Sequence, residues 1–208
     1  MSEPVNRRPL ASRQTGWARK LSAALARSAV TPNQISAASV LFAMGGAVLL
    51  LWWPTAIGLV VCAACIQLRL LCNLLDGMVA VEGGKQSTLG VLYNEFPDRI
   101  ADSLFIAAAG YAVGHPWLGW LGALLAALTA YIRVTGGSPG LLQDFRGPMA
   151  KPHRMATLTV GCLLAAGEWW WNGTRHALLI ALALIAAGSA WTCIARTQVL
   201  AALLRARS

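Results

Sequence analysis

The sequence predicts an all-α polytopic membrane protein with six transmembrane helices. Of its 208 residues, 57% are hydrophobic and only 12% are charged, which is too little polar surface for a water-soluble domain of this size. The apolar residues are gathered in six runs, and each run is about long enough to cross roughly 30 Å of hydrocarbon as a helix. We place the predicted spans at 35–53, 56–75, 89–113, 118–134, 156–171 and 177–194.

A basic segment precedes these spans. Residues 1–30 contain no continuous apolar core, which argues against a cleaved secretory signal. Within this segment Trp17, Leu21 and Leu25 share one helical face, which predicts an amphipathic helix in the headgroup layer; an Arg-rich transit peptide is the alternative. Residues 31–208 are expected to form a single six-helix transmembrane domain. Thr31 followed by Pro32 predicts the start of its first helix, because the hydroxyl caps the helix and proline suits its first turn.

The distribution of basic residues predicts the orientation in the membrane. With the N-terminus in the cytoplasm, all Lys and Arg residues except Arg175 fall on the cytoplasmic side. Tryptophan supports the same map, since indoles settle at membrane interfaces and seven of them fall near the outer one. We therefore expect an integral protein of a bacterial inner membrane with both termini in the cytoplasm. The seven are Trp52, Trp53, Trp117, Trp120, Trp169, Trp170 and Trp171.

In this topology the net charge of +9 arises mainly from basic residues on one side of the membrane. The charges are spread over the cytoplasmic ends of membrane helices rather than collected in one basic domain. Such a distribution favours anionic lipid headgroups or phosphorylated substrates as partners and argues against nucleic acid.

Acidic residues are concentrated in residues 73–102, between apolar sequences. Asn73 and Asp76 are three residues apart at the end of the second span, so they share one helix face. Asn94, Asp98 and Asp102 follow at intervals of four and form a polar stripe on the third span. The two short-linked antiparallel helices are therefore expected to present amide and carboxylate groups to each other.

Carboxylates inside a bilayer are costly unless they are paired or bound to metal, so this stretch is the candidate functional site. A plainer alternative is that these residues only bond between helices or pair with Arg69 and Arg99. Oxygen ligands without His or thiolate favour a hard cation such as Mg²⁺ or Mn²⁺, which commonly shares its coordination with substrate phosphates. The chemistry indicated is phosphoryl or phosphatidyl transfer at the membrane surface, with an active site on the cytoplasmic side.

The same residues resemble the signature of the CDP-alcohol phosphotransferase family. That signature reads D-x-x-D-G-x-x-A-R, then eight residues, then G-x-x-x-D-x-x-x-D. This chain departs from it at three positions, where Asn73 and Asn94 replace aspartates and Val81 replaces the arginine. The six-span layout with an N-terminal interfacial helix also looks like the family. The matching positions are Asp76, Gly77, Ala80, Gly90 and Asp98.

The resemblance implies an activity and a set of roles. A phosphatidyl group would move from a CDP-linked lipid, typically CDP-diacylglycerol, to a small alcohol acceptor, with release of CMP, in phospholipid biosynthesis. The family likeness also implies a homodimer. Metal would be held by Asn73, Asp76, Asn94 and Asp98, and the nucleotide would be bound by Asp76, Gly77, Ala80 and Gly90.

The catalytic base has two candidates. In the register that keeps Gly90, Asp98 is both a metal ligand and the base that takes the proton of the alcohol. If the loop contains one extra helical turn, Asp98 and Asp102 take the last two acidic positions and Asp102 is the base. Asparagine brings no charge to a metal, so the two asparagines would weaken metal binding. The alternative is therefore a catalytically inactive family-like protein that binds lipid or a protein partner.

A basic cluster follows the fourth span. Arg133, Lys151 and Arg154 flank a Gly- and Pro-rich stretch on the same side of the membrane as the acidic residues. They are expected to bind a phosphate on the acceptor alcohol, with anchoring to lipid headgroups as the alternative.

Overall fold

The computed structural model describes residues 15–138, 140–141 and 144–206. Within these ranges it contains helices and no strands, which confirms the all-α class. Part of the predicted basic segment, including Arg7, Arg8 and Arg13, lies outside the described residues, as does Arg207. The helices are α1 (Gly16–Arg27), α2 (Pro32–Trp52), α3 (Ala56–Val81), α4 (Gly90–Ala112), α5 (Pro116–Gly137), α6 (Lys151–Asn172) and α7 (His176–Arg205).

Helices α2 to α7 form a closed ring. Helix α2 packs against α3 and α4, α4 packs against α5, α5 against α7, α7 against α6, and α6 against α3. Helix α1 packs against α3 outside this ring. The ring is filled largely by small and aliphatic side chains, with fully buried Phe105 as the largest apolar one. Successive helices run antiparallel, so the end of α3 and the starts of α4 and α6 lie at the same end of the ring.

Four described helices, α2, α3, α5 and α7, are long and apolar enough to cross a membrane. Large apolar side chains on their outer faces are exposed, as on Leu41, Ile57 and Ile180, which suits contact with lipid. These features support an integral membrane protein. Helices α4 and α6 match the other two predicted spans in position, but both carry charged residues and neither meets the same criterion. The six-span topology and the place of α1 in the headgroup layer remain predictions.

Helix α2 starts where Thr31 and Pro32 predict it to start. The Thr31 hydroxyl accepts a hydrogen bond from the N–H of Gln34 at 3.3 Å, and the Gln34 side chain accepts one from the N–H of Thr31 at 3.0 Å. Pro32 lies in the first turn. This reciprocal capping box satisfies two N–H groups that have no partner within the helix.

Close packing joins α4 to α5 through two glycines. A Cβ atom on Gly119 would lie 2.8 Å from the carbonyl oxygen of Ala107 and 2.9 Å from the Cα of Gly110. Because both neighbours are backbone atoms, no side chain can move aside to make room. Small residues at such a crossing let membrane helices approach closely, since packing rather than the hydrophobic effect holds them together.

The Gly119→Ala variant is expected to be less stable than the wild type by about 1–3 kcal/mol, the usual cost of overpacking a close contact. The matched control is Gly167→Ala in α6, where a Cβ would meet nothing within 4 Å. That variant should gain up to about 1 kcal/mol from the better helix propensity of alanine. Thermal unfolding in detergent, followed by tryptophan fluorescence, measures both. Equal Tm values for the two variants would contradict this account of the α4–α5 contact.

Candidate functional site

Several of the polar residues predicted to form a site meet inside the ring together with Arg69, at the end where α3 finishes and α4 and α6 begin. Each of these three helices contributes two or more of them. Helix α5 separates α6 from α3 and α4 in the chain, so the closed ring is needed to bring the α6 side chains to the others. The residues are Arg69, Asn73 and Asp76 of α3, Asp98 and Asp102 of α4, and Lys151 and Arg154 of α6.

Arg69 is the centre of this group. Its side chain is fully buried, and its Nη2 donates to Asp98 Oδ1 at 3.0 Å and to Asp102 Oδ1 at 2.8 Å. The same nitrogen lies 3.2 Å from the carbonyl oxygen of Asp98. A buried charge is tolerated when it is paired, and here one arginine bridges two carboxylates one turn apart on α4. The pairing with Arg69 that the plainer alternative expected is therefore present.

Arg154 completes the pairing of Asp102. Its Nη2 donates to Asp102 Oδ2 at 3.1 Å, while Nη1 donates to the Thr129 hydroxyl at 3.1 Å and to the carbonyl of Met149 at 2.8 Å. The Arg154 side chain is only 1% exposed. Both oxygens of Asp102 are thus held by buried guanidinium groups, and these Arg154 donors are used within the protein.

Lys151 joins the two helices that carry the predicted signature. Its Nζ donates to Asn73 Oδ1 at 2.7 Å and also to Asp98 Oδ2. The Asn73 amide then donates through Nδ2 to Asp98 Oδ1 at 3.0 Å. Asp98 therefore has partners on both carboxylate oxygens, and Asn73 uses both ends of its amide.

Asp76 is in a different environment from the other two aspartates. The Ser36 hydroxyl of α2 donates to Asp76 Oδ2 at 2.5 Å. The other oxygen, Oδ1, is buried and has no hydrogen-bond partner among the described atoms. Asp76 thus offers one uncommitted carboxylate oxygen inside the ring.

The remaining predicted residues lie around this network. Asn94 is exposed on α4, Gly77 and Ala80 are half-buried in the last turns of α3, and Gly90 begins α4. A distinct ion-pair cluster joins Arg133 to Glu95 at 2.6 and 2.7 Å, and Arg99 to Glu95 at 2.6 Å.

Whether the site can hold a divalent cation depends on which side-chain oxygen atoms are free to bind it. In the described part of the chain, no three His, Cys, Asp or Glu side chains are grouped as a metal site. The oxygens of Asp98 and Asp102 are committed to basic or amide donors, and Asn94 is exposed. Among the three buried aspartates described at this site, Asp76 alone has a carboxylate oxygen without a hydrogen-bond partner. This arrangement does not fit the four-ligand metal site expected from the sequence.

Some members of the site were not among the predicted functional residues. Arg69 was visible in the sequence as a charged residue in an apolar span, four positions before Asn73, although only as a pairing partner. Ser36 and Thr129 carry no such signal, because isolated hydroxyl residues are common in membrane helices and bond to their own backbone. Their roles appear only when α2 and α5 are placed beside the carboxylates.

Comparison with solved structures shows which fold this is. The chain is similar to phosphatidylinositol phosphate synthase from Mycobacterium tuberculosis with CDP-DAG bound, at TM-score 0.72 and 21% identity over 88% of this chain and 92% of that one. The complex of that synthase with manganese and citrate gives TM-score 0.73 and 20% identity over 88% of each chain. The apo form gives 0.66 and 20% over 86% and 93%. No family model and no curated protein matches the sequence.

Loss of the central arginine should destabilise the protein strongly. The Arg69→Met variant keeps the length of the side chain but leaves Asp98 and Asp102 short of a buried partner, which typically costs about 3–5 kcal/mol. The matched control is Arg146→Met, because the Arg146 side chain is 71% exposed in its pair with Asp144 and such pairs contribute less than about 1 kcal/mol. Thermal unfolding in one detergent compares them. A similar Tm for both variants would show that the Arg69 pairing carries no special weight.

Proposed function

We propose that this chain is a CDP-alcohol phosphatidyltransferase of phospholipid biosynthesis. One observation carries the proposal: positions of the predicted signature on α3 and α4 meet at one end of a fold shared with a synthase solved with CDP-DAG bound. The phosphatidyl group of a CDP-linked lipid such as CDP-diacylglycerol would pass to a small alcohol. The alcohol oxygen forms a new bond to the lipid phosphorus, the bond to CMP breaks, and the alcohol proton goes to a carboxylate.

The same proposal includes the membrane topology. All six helices of the ring cross the bilayer, α1 lies in the headgroup layer, and both termini and the site face the cytoplasm of a bacterial inner membrane. Exposed tryptophans on α2, α5 and α6 support this orientation, because they lie at the end of the ring opposite the ionic network. The protein would contact membrane lipids and, following the family resemblance, form a homodimer.

Asp98 is the better candidate for the base. One of its oxygens binds Lys151, whose side chain is 19% exposed, whereas Asp102 is enclosed by arginines that are 0% and 1% exposed. A base must come within hydrogen-bond reach of the substrate hydroxyl. This difference supports the register that keeps Gly90, with Asp102 holding Arg69 and Arg154 in place.

Binding roles follow the predicted positions. We assign the nucleotide to the stretch around Asp76, Gly77, Ala80 and Gly90. Basic groups at the same end, Arg133 and Lys151, are assigned to a phosphate on the acceptor, and Arg154 supports them from inside the ring. The assignment leaves the acceptor open among glycerol phosphate, inositol phosphate, serine and a phosphatidyl group.

Mg²⁺ or Mn²⁺ stays in the proposal, supported by the neighbour solved with manganese, but without the four-residue ligand set that the sequence predicts. When bound, a divalent ion supplies charge that neutralises phosphate oxygens. The uncommitted oxygen of Asp76 is the ligand that this chain offers it.

Membranes or purified protein should release CMP from CDP-diacylglycerol when Mg²⁺ or Mn²⁺ and one alcohol from a broad acceptor panel are present. The Asp98→Asn variant is expected to lower the rate at least about a hundredfold, because the proton acceptor is lost. The matched control is Glu82→Gln, an exposed acid at the end of α3 outside the network. Folded wild-type protein that stays silent across the panel would refute the proposed activity.

A second function is favoured by the ion pairs. Carboxylates fully engaged by Arg69, Lys151 and Arg154 suit a structural network, so an inactive relative that binds lipid or a protein partner is the alternative. In that protein the network would serve stability alone.

Nucleotide binding separates the two functions. If the chain is a transferase, CDP with Mn²⁺ at about 100 times its Kd should stabilise the protein by about 2.7 kcal/mol and raise Tm by several degrees. Uridine diphosphate with Mn²⁺ is the control for unspecific phosphate binding. An inactive relative should show the same Tm with and without CDP.

A further inference from the structure

Lys151 occupies a position that the signature resemblance gives to a metal ion. Its ammonium group bridges Asn73 Oδ1 of α3, at 2.7 Å, and Asp98 Oδ2 of α4. These are two of the four residues predicted to share a divalent cation. A single positive group from α6 therefore already joins the two helices across which a metal would be bound.

The amide at position 73 is consistent with a lysine ammonium group, rather than a metal ion, as the cation at this position. Asn73 turns its oxygen to Lys151 and its Nδ2 to Asp98 Oδ1, at 3.0 Å. An aspartate at position 73 would place a second carboxylate against Asp98, and two like charges at this distance repel unless a strong cation lies between them. The amide donor removes that repulsion, so one ammonium group is enough.

The balance of charges at the site also argues against a divalent ion at this position. Direct ion pairs connect two carboxylates, Asp98 and Asp102, to three cations, Arg69, Lys151 and Arg154. Asp76 lies at the same end of the ring and adds a third carboxylate, so three carboxylates face three cations and the site is already neutral. A divalent ion entering it would add two uncompensated positive charges where water does little to screen charge.

We propose that Lys151 is a tethered cation that takes the place of a divalent ion between Asn73 and Asp98. While its ammonium group is there, this position binds no Mg²⁺ or Mn²⁺. The inference rests on the proposed function only in identifying these residues as metal positions. Any ion that the protein uses is then held elsewhere, where Asp76 has its uncommitted oxygen.

Mn²⁺ binding to the purified full-length chain tests this, measured as loss of the free-ion electron paramagnetic resonance signal. The Lys151→Met variant is expected to bind Mn²⁺ at least about tenfold more tightly than the wild type, because a unit charge is removed beside the ion. Adding Asn73→Asp to Lys151→Met should tighten binding further. Asn73→Asp alone should gain less, since the new carboxylate still faces Lys151; this non-additivity reports the coupling of the two residues.

Two controls accompany the measurement. Lys151→Arg keeps the charge and should bind Mn²⁺ as the wild type does. Lys20→Met removes one charge from an exposed lysine of α1 and should also match the wild type. An equal gain in Lys20→Met would overturn the proposal, because the effect would then come from overall charge.

Mn²⁺ binding by the wild-type protein is a further test. Tight, saturable Mn²⁺ binding by the wild-type chain, equal to that of Lys151→Met, overturns the tethered-cation role. If Lys151→Met does not yield a monodisperse protein, Lys151→Gln replaces it, since glutamine loses the charge but keeps N–H donors. CMP release is scored separately, on the wild type. If Lys151→Met gains Mn²⁺ affinity while the folded wild type never releases CMP, this inference is supported and the transferase is refuted.

Discussion

The pairing of Arg69 with Asp98 and Asp102 is the constraint on which the site depends. A charge buried among apolar helices is costly, and the cost falls only when a partner of opposite sign is held in good geometry. Here a fully buried guanidinium spans two carboxylates on consecutive turns of α4. Arg154 adds a second guanidinium from α6. Helices α3, α4 and α6 are thereby fixed to one another at a single end of the ring.

Around this centre, the chain places positive charge on its own side chains. Lys151 contacts Asn73 and Asp98, and the amide of Asn73 contacts Asp98 without repelling it. One departure from the predicted signature, the amide at position 73, thus lies directly beside a lysine of α6. Whether the network serves transfer or stability, its charges balance largely without help from solution.

Packing makes room for this polar end. Backbone contact at Gly110 and Gly119 brings α4 close to α5, and buried Phe105 fills the ring below the carboxylates. The hydroxyl of Ser36 reaches Asp76 from α2, so a fourth helix contributes to the site. The apolar part of the ring thus sets the distances at which the ionic groups meet, and the ionic groups set which ends of the helices must align.

The sequence alone determined the helices, because hydrophobic runs, the Thr31 cap and the glycine and proline breaks are local signals that α2 to α6 follow within several residues. Helix α7 starts as predicted but continues past the predicted end at 194 to Arg205. It also determined that Asp98 and Asp102 share one face of α4, since helical periodicity fixes the direction of a side chain. Their partners were decided by tertiary structure. Lys151 is 78 residues from Asn73 in the chain. No local sequence pattern predicts a contact between residues so far apart in the chain. The closed ring of helices brings them together.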